Sequence, residues 1–329
     1  MKTNIEQSIE ILKAGGIVAF PTETVYGLGA DARNENAIRK VFMVKGRPID
    51  HPLIVHLAHV DQLEKWATDI PEKAILLAKH FWPGPLTLVL LKKASVSNLI
   101  TGNQNTIALR IPKHPLTLTM LQQFGSGIVG PSANTYGRIS PTSAIHVKND
   151  LGEKVDYILD GGPCEIGIES TIVYFTNNEP HILRQGHITK EDIAKVLGTK
   201  FSNTEDKKTC IRVPGLAKVH YAPLKPLFLV QSEDLQSIAN FIHIKCLKYS
   251  CLSFQSHSIE NIIWHQAPQQ AALYAKNLYS LLHQLDTENT KGIILEMPPS
   301  QPSWAAIIDR LNRASTGVLT LENISKLVI

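Results

Sequence analysis

The sequence has 329 residues, of which 43% are hydrophobic and 19% are charged, and its formal net charge is +4. This length predicts about two domains, and the composition excludes a largely disordered chain. The small positive charge is compatible with an anionic substrate but does not require a nucleic-acid partner. The first residues are polar, and no apolar run approaches the ~18 residues that cross a bilayer. We therefore expect no secretory signal and a cytoplasmic protein.

The first 200 residues mix helical and strand patterns. Apolar residues at helical spacing, ended by glycine or proline, predict helices over residues 4–14, 35–44, 71–81 and 116–124. Short apolar runs predict strands over residues 17–20, 86–91, 106–111, 157–159, 170–175 and 181–183. This mixture predicts an α/β sheet domain over residues 1–200.

A second pattern begins after a polar, proline-rich stretch. Residues 201–226 predict a linker, because they offer few apolar side chains for packing. Strands are expected over residues 227–230, 247–254 and 292–295, and helices over residues 233–242, 267–285 and 304–313. Their alternation predicts a small, separate, Rossmann-like α/β domain over residues 227–329.

Two common site types are not indicated. Residues 27–32 contain the letters of a dinucleotide-binding glycine pattern, but residues 21–24 separate them from the preceding strand. The tight strand–turn–helix that such a site needs is therefore missing. The four cysteines form no C-x-x-C pair, which favours unlinked thiols over disulfides or a zinc site.

Two short polar motifs are suited to binding an anion. Lys45 and Arg47 flank a glycine, and in an extended segment both cations would face one spot and suit a phosphate chain. A solvated basic turn is the alternative. Ser132 and Asn134 would similarly project together from a constrained turn, although an ordinary polar loop with helix-capping hydroxyls also fits this segment.

Arg110 is a charged residue at the end of an otherwise apolar strand. A charge in such a run must be paired or must face a cavity. From the residues alone, a clamp for a carboxylate and an edge-strand arginine that meets water remain equally open.

A series of motifs covers residues 1–200 nearly end to end. The motifs are Pro21-Thr-Glu-Thr-Val-Tyr-Gly-Leu-Gly29, Lys45-Gly-Arg-Pro48, Pro52-Leu-Ile-Val-His56, Trp82-Pro-Gly-Pro-Leu-Thr87, Thr106-Ile-Ala-Leu-Arg-Ile-Pro112, Gly130-Pro-Ser-Ala-Asn134, Ser140-Pro-Thr142, Glu169-Ser-Thr-Ile172 and Leu183-Arg-Gln-Gly186. In this order they resemble the motifs of the YrdC-like threonylcarbamoyl-AMP synthases, in the longer, two-domain form of that family. The long form adds His220-Tyr-Ala-Pro223 in the linker and a weaker pattern in the C-terminal domain.

The resemblance implies a fold and a reaction. The fold is a YrdC-like twisted mixed sheet with helices, followed by the small C-terminal domain. The reaction forms L-threonylcarbamoyl-AMP and pyrophosphate from L-threonine, bicarbonate and ATP with Mg²⁺. The product would serve a downstream transferase that modifies tRNA, without requiring direct RNA binding by this chain.

The resemblance also implies roles for individual residues. Lys45 and Arg47 would be the catalytic, phosphate-facing pair. The ATP-binding residues would be Arg47, His51, Thr106, Asn134, Ser140, Thr142, Arg184 and Tyr221. The threonine-binding residues would be Thr24, His56, Arg110, Ser132 and Ser170. The metal ligands are not implied. The aromatic residue next to a proline in His220-Tyr-Ala-Pro223 leads to the hypothesis that the linker forms a lid, which would keep water from a reactive mixed anhydride.

Two other functions fit parts of the sequence. A non-enzymatic RNA-binding module of the same fold is weakened by the small net charge and by the lack of an aromatic-rich RNA motif. An adenylate-forming enzyme could also use the same cleft with a different amine. The chemistry needs no covalent enzyme nucleophile, and the sequence around Cys164 marks no base partner for one.

Overall fold

A computed structural model describes residues 3–176, 178–198, 211–215, 217, 219–255 and 258–328. The chain divides into a first unit, residues 1–136 with 140–216, and a second unit, residues 137–139 with 217–329. Residues 201–210, the first part of the predicted linker, lie outside the described residues. Predicted domain boundaries at residues 200 and 226 therefore stay predictions. Within the described ranges, no helix is long and apolar enough to cross a membrane.

The first unit is a mixed sheet with helices. Its strands are β1 Val18–Phe20, β2 Gly27–Asp31, β3 Ile54–His56, β4 Ala67–Thr68, β5 Leu86–Lys92, β6 Thr106–Arg110, β7 Ile128–Val129, β8 Tyr157–Ile158, β9 Thr171–Thr176 and β10 Glu179–Arg184. Its helices are α1 Asn4–Lys13, α2 Glu35–Lys45, α3 Leu63–Trp66, α4 Glu72–Phe81, α5 Asn98–Thr101, α6 Pro115–Phe124, α7 Ala144–Leu151 and α8 Lys190–Leu197. The strand order is β10-β9-β5-β6-β3-β7-β2-β1-β8, with β4 added beside β5.

The two faces of this sheet have different covers. Val55 of β3 and Leu109 of β6 lie in the main core, which includes residues of α2, α4 and α8. Ile54 and Ala108, one position away on the same strands, pack in a smaller cluster with Val213. Successive side chains of a strand point to opposite faces. His56 and Arg110, two positions further along, therefore lie on the face of the smaller cluster.

The second unit contains a parallel sheet. Its strands are β11 Leu227–Val230, β12 Tyr249–Ser253, β13 Ile262–Gln266, β14 Gly292–Glu296 and β15 Gly317–Leu319, in the order β13-β12-β14-β11-β15. Its α-helices are α9 Ser232–Ile244, α10 Ala271–Thr287 and α11 Ala305–Ala314. The predicted α/β architecture, with a mixed sheet followed by a smaller parallel sheet, is confirmed.

The predicted helices agree with the structure to within a few residues, because their ends carry strong local signals. Thr3 and Glu6 form a capping box on α1, and Gly125 ends α6 in the left-handed conformation. Several elements were not predicted, namely β2, β3, β4, β7, β13, β15, α3, α5, α7 and α8. Most of these elements are too short to show a periodic pattern, so they could not be predicted from hydrophobic periodicity.

The glycines of residues 27–32 serve packing within the sheet. Gly27 and Gly29 lie in β2, which pairs antiparallel with β1. A Cβ atom would come within 2.7 Å of the Phe20 ring at Gly27 and 3.0 Å at Gly29. The glycines therefore allow Phe20 to lie flat against the neighbouring strand.

The expectation that Lys45 and Arg47 share an extended segment is wrong. Helix α2 continues through Lys45, and Gly46 ends it in the left-handed conformation at φ 62°. The amide of Arg47 donates to the Phe42 carbonyl, which closes the helix end. The two cations are therefore presented by a helix terminus.

The described end of the linker packs on the first unit. Arg212 donates to Asp50 and to the Gly102 carbonyl, and its backbone exchanges hydrogen bonds with the Gln104 side chain. Val213 covers the apolar strip at Ile54 and Ala108. Residues 211–215 therefore lie along the sheet face that carries His56 and Arg110.

Candidate active site

Lys45 holds the loop that contains Ser132 and Asn134. Its Nζ atom donates to the Ser132 and Asn134 carbonyls at 2.5 Å and to Asn134 Oδ1 at 3.2 Å. Burial lowers the pKa of Lys45 well below its ordinary value, and the nearby charge of Arg47 acts in the same direction. The oxygen acceptors oppose this effect, because only the ammonium form has three N–H groups to donate. Lys45 thus holds the loop of Ser132 and Asn134 through three hydrogen bonds.

Arg47 and His51 meet at one aromatic ring. The Arg47 guanidinium lies 5.7 Å from the centroid of the Tyr136 ring, and its Nη2 atom donates to the Pro52 carbonyl at 2.8 Å. The Tyr136 hydroxyl lies 3.1 Å from His51 Nδ1. The structure therefore brings together Lys45, Arg47, His51, Ser132 and Asn134, all predicted from the sequence.

Arg110 is buried and held on three sides. Its Nη2 atom forms an ion pair with Glu23 Oε1 at 2.7 Å, and both side chains are at most 5% exposed. Its Nη1 atom donates to Thr24 Oγ1 at 3.0 Å, and its Nε atom to the Gly84 carbonyl at 3.3 Å. This arrangement excludes an edge-strand arginine in contact with water, and it joins Arg110 to Thr24, another residue of the predicted threonine site.

His56 lies opposite Arg110 in the parallel pairing of β3 with β6. Burial is the main cause that lowers the pKa of His56 to about 3, and the charge of Arg110 contributes. Its ring meets the Phe20 ring edge-on at a centroid distance of 5.3 Å, and Nδ1 has no hydrogen-bond partner among the described residues. Near neutral pH this imidazole is therefore uncharged.

Ser170 connects the ends of three strands. Its hydroxyl lies 2.7 Å from Thr87 Oγ1, and Arg184 donates to its carbonyl at 2.9 and 3.1 Å. Arg184 also donates through Nη1 to the Pro214 carbonyl at 3.0 Å. Arg184, predicted to contact ATP, thus links a predicted threonine residue to the linker segment.

Three other predicted residues make contacts of their own. Ser140 donates to the buried carboxylate of Glu169 at 2.7 Å, and the Thr142 amide contacts the His146 ring. Thr106 begins β6, so about 13 Å of strand separates it from Arg110 on the same face.

Tyr221 belongs to the second unit. There it is 1% exposed, stacks on Tyr279 at 5.7 Å and lies under the Arg310 guanidinium at 5.5 Å. Its contact with the nucleotide stays a prediction.

Sequence reasoning did not assign roles to four residues that contact the predicted site. Glu23 pairs with Arg110, Thr87 with Ser170, Glu169 with Ser140, and Tyr136 with His51. Glu23 and Glu169 stand inside segments that carry the resemblance, so an acid among hydroxyls was an available signal. Tyr136 follows Asn134 closely, but nothing local indicates that its ring meets Arg47.

The comparisons with known proteins agree with this fold. The Sua5/YciO/YrdC family model, described as "Telomere recombination", matches residues 10–186, and the model described as "Threonylcarbamoyl-AMP synthase, C-terminal domain" matches residues 188–316. Threonylcarbamoyl-AMP synthase of Bacillus subtilis is 39% identical, over 95% of this chain and 93% of its own length. The enzyme of that name from Pyrococcus abyssi is 37% identical, over 92% of each chain.

A solved structure extends the likeness to three dimensions. The crystal structure of P. abyssi Sua5 complexed with L-threonine superposes with a TM-score of 0.86, at 37% identity and 94% coverage of both chains. Sheets, helices and both units of this protein thus have counterparts in a known architecture. The chain belongs to the threonylcarbamoyl-AMP synthase family in its two-domain form.

Removing one partner of the buried Glu23–Arg110 ion pair should strongly destabilise the first unit. The substitution Glu23→Gln leaves the Arg110 charge buried without its anionic partner, which typically costs about 3–5 kcal/mol of unfolding free energy. Urea denaturation measures this loss. Glu179→Gln is the matched control, because Glu179 pairs with Lys73 at the same 2.7 Å but is 62% exposed; its loss should stay below about 1 kcal/mol. Equal losses would contradict the role of burial.

His56 should make the protein less stable as the pH falls from about 6.5 toward 3. Its pKa is about 3 in the folded protein and 6.5 as its ordinary value, so the unfolded chain alone binds the proton in this interval. Urea denaturation at pH 6.5 and 5.0 should show a pH-dependent loss about 2 kcal/mol greater in the wild type than in His56→Asn. The exposed position His80 controls for a general effect of replacing histidine by asparagine: His80→Asn should change the free energy of unfolding at pH 6.5 by less than about 0.5 kcal/mol. An unchanged pH dependence in His56→Asn would show that His56 is not buried in the neutral form.

Proposed function

We propose that the protein is an L-threonylcarbamoyladenylate synthase, which forms threonylcarbamoyl-AMP and pyrophosphate from L-threonine, bicarbonate and ATP. The observation that carries this proposal is the buried, oriented guanidinium of Arg110 beside the neutral imidazole of His56. It is supported by identity of 37–39% to synthases over more than nine-tenths of the chain, and by the relative that was crystallised with L-threonine.

The threonine carboxylate would bind Arg110. Three of the five guanidinium N–H groups contact Glu23, Thr24 and Gly84 among the described residues, and the other two suit a carboxylate. Hydroxyl and imidazole groups on the same side of the sheet would contact the rest of the amino acid. These are the predicted residues Thr24, His56, Ser132 and Ser170.

The nucleotide would lie against the loop that Lys45 holds. Arg47 is the residue suited to touch the phosphates, because its planar guanidinium can bind two oxygens at once. Lys45 would act mainly by fixing Ser132 and Asn134, since its Nζ atom already contacts three oxygens of that loop. The other contacts proposed for ATP are those of His51, Thr106, Ser140, Thr142, Arg184 and Tyr221.

The reaction needs positioning and charge stabilisation more than covalent catalysis. The threonine amine and bicarbonate would give a carbamate and water. A carbamate oxygen would then attack the α-phosphorus, and the bond to the β-phosphate would break as pyrophosphate leaves. Arg47 would stabilise the charge that develops on the phosphates. The adenylate would then pass to a partner that modifies tRNA.

Mg²⁺ would enter as part of the nucleotide substrate. Within the described ranges, no three His, Cys, Asp or Glu side chains are grouped to hold a metal ion. Mg²⁺ commonly keeps several waters and is held through substrate phosphates with one or two carboxylates. The protein's part is then to place the phosphates, which falls to Arg47 and the loop at Ser132 and Asn134.

The linker is proposed as a lid over the reacting groups. Residues 211–215 already lie on the sheet face of His56 and Arg110, held by Arg212 and by the hydrogen bond from Arg184 to the Pro214 carbonyl. A cover at this position would exclude water, to which a carbamoyl adenylate is sensitive. Arg184 would couple closure to Ser170, because it contacts both.

The decisive experiment measures pyrophosphate release from ATP, with L-threonine, bicarbonate and Mg²⁺ each present or omitted. We expect release that requires all of them. Release with another amino acid but not with threonine would indicate an adenylate-forming enzyme for a different amine. No release from folded protein, together with salt-sensitive RNA binding, would favour an RNA-binding module.

Arg110→Lys should then raise the KM for threonine by about 10- to 100-fold, because lysine cannot present the two-pronged donor that a carboxylate matches. The KM for ATP should change little. Arg33→Lys is the control, since Arg33 is 60% exposed and pairs with Asp31 at the surface. An equal rise in both KM values would contradict a role of Arg110 in threonine binding.

A further inference from the structure

Tyr136 contacts three residues of the proposed nucleotide site at once. Its amide donates to the Lys45 carbonyl at 2.8 Å, its ring lies 5.7 Å from the Arg47 guanidinium carbon, and its hydroxyl lies 3.1 Å from His51 Nδ1. The His51 and Tyr136 rings also meet edge-on, with centroids 5.4 Å apart. One side chain is thus placed to set the orientation of two others.

The hydrogen bond to His51 has a preferred direction. Burial is the main cause that lowers the pKa of His51; Arg47 and Arg212 lower it further, while Asp50 opposes them. The ring is therefore neutral near pH 7, with one nitrogen that donates and one that accepts. A phenol is the stronger donor of the pair, which favours donation by Tyr136 to Nδ1 and a ring proton on Nε2.

The contact with Arg47 fixes a second donor. The Arg47 Nη2 atom is held by the Pro52 carbonyl, and the aromatic face of Tyr136 lies beside the guanidinium. An aromatic face attracts a guanidinium and restricts how its plane can turn. Arg47 and His51 are thus both oriented by groups that do not themselves need to touch a ligand.

We propose that Tyr136 is a positioning residue for the nucleotide. It holds the Arg47 guanidinium toward the phosphates and keeps His51 in the tautomer whose Nε2–H donates to an oxygen of ATP. This inference deepens the proposed function and rests on it for its kinetic test. Its structural part, the tautomer of His51, can be tested without any turnover.

The kinetic test compares Tyr136→Phe and Tyr136→Leu in the full chain. Phenylalanine removes only the hydroxyl, so the KM for ATP should rise about 3- to 10-fold, the effect of one lost hydrogen bond. Leucine also removes the ring beside Arg47 and should add a further rise of about 2- to 5-fold. The KM for threonine should remain within about twofold of wild type, which a general loss of structure would not allow.

A double-mutant cycle assigns the effect to His51. His51→Asn and Tyr136→Phe should be strongly non-additive, with the double variant no worse than His51→Asn alone. The pH profile of the KM for ATP should move to higher pH in Tyr136→Phe, because the hydroxyl no longer stabilises the neutral ring. Tyr157→Phe is the matched control, since Tyr157 is a partly buried tyrosine of the first unit that packs against the cluster of Ile9, Leu12 and Met120.

Nitrogen-15 NMR of the histidine rings separates this inference from the proposed function. The His51 signals, identified as those absent from His51→Asn, should show a proton on Nε2 in the wild type and a mixture of tautomers in Tyr136→Phe. Wild-type protein that releases no pyrophosphate would overturn the proposed function but not this result. The role of Tyr136 would be overturned if the wild type and Tyr136→Phe had the same proportions of the two His51 tautomers. Additive kinetic effects of the two substitutions, or a rise in the KM for both ATP and threonine, would also overturn it.

Discussion

The alternation of side chains along β3 and β6 is the constraint on which the candidate site depends. It assigns Val55, Ile107 and Leu109 to the main core, and it places His56 and Arg110 together on the opposite face. That face also has an apolar strip at Ile54 and Ala108, which Val213 covers. A segment from elsewhere in the chain therefore lies on the same face as these polar residues. The covering segment and the candidate site therefore share one face of the sheet.

Buried cations then organise the loops around this surface. Lys45 contacts three oxygens of the loop at Ser132 and Asn134, and Arg184 joins Ser170 to Pro214. A buried charge is tolerated only when its hydrogen bonds are satisfied, so each cation fixes the backbone that satisfies it. Strands alone would not determine where these loops lie. The protein's own hydrogen bonds consequently hold these donors in place, and such preorganisation is the condition for electrostatic catalysis.

Local signals in the sequence, such as helix caps and short motifs, were sufficient to predict part of the fold and of the candidate site. Capped helices were placed to within a few residues, and the motifs named most residues that the structure brings together around Lys45 and Arg110. The extended geometry expected for Lys45 and Arg47 was wrong, because a glycine after a lysine is also the signal that ends a helix. Glu23 and Tyr136 were missed because their partners are distant in the chain, and only the folded sheet and loops bring them together.

The different tasks of Lys45 and Arg47 restrict which residues evolution can place at these positions. Lys45 is a single nitrogen surrounded by carbonyl and amide oxygens, and a planar guanidinium has no geometry to satisfy all of them from one point. Arg47 lies beside an aromatic ring with a carbonyl at one nitrogen, an arrangement that an ammonium would fill only in part. Exchanging the two cations preserves net charge yet loses both arrangements. Among descendants of this sequence, lysine and arginine should therefore not replace one another at these two sites, although they do so freely on the surface.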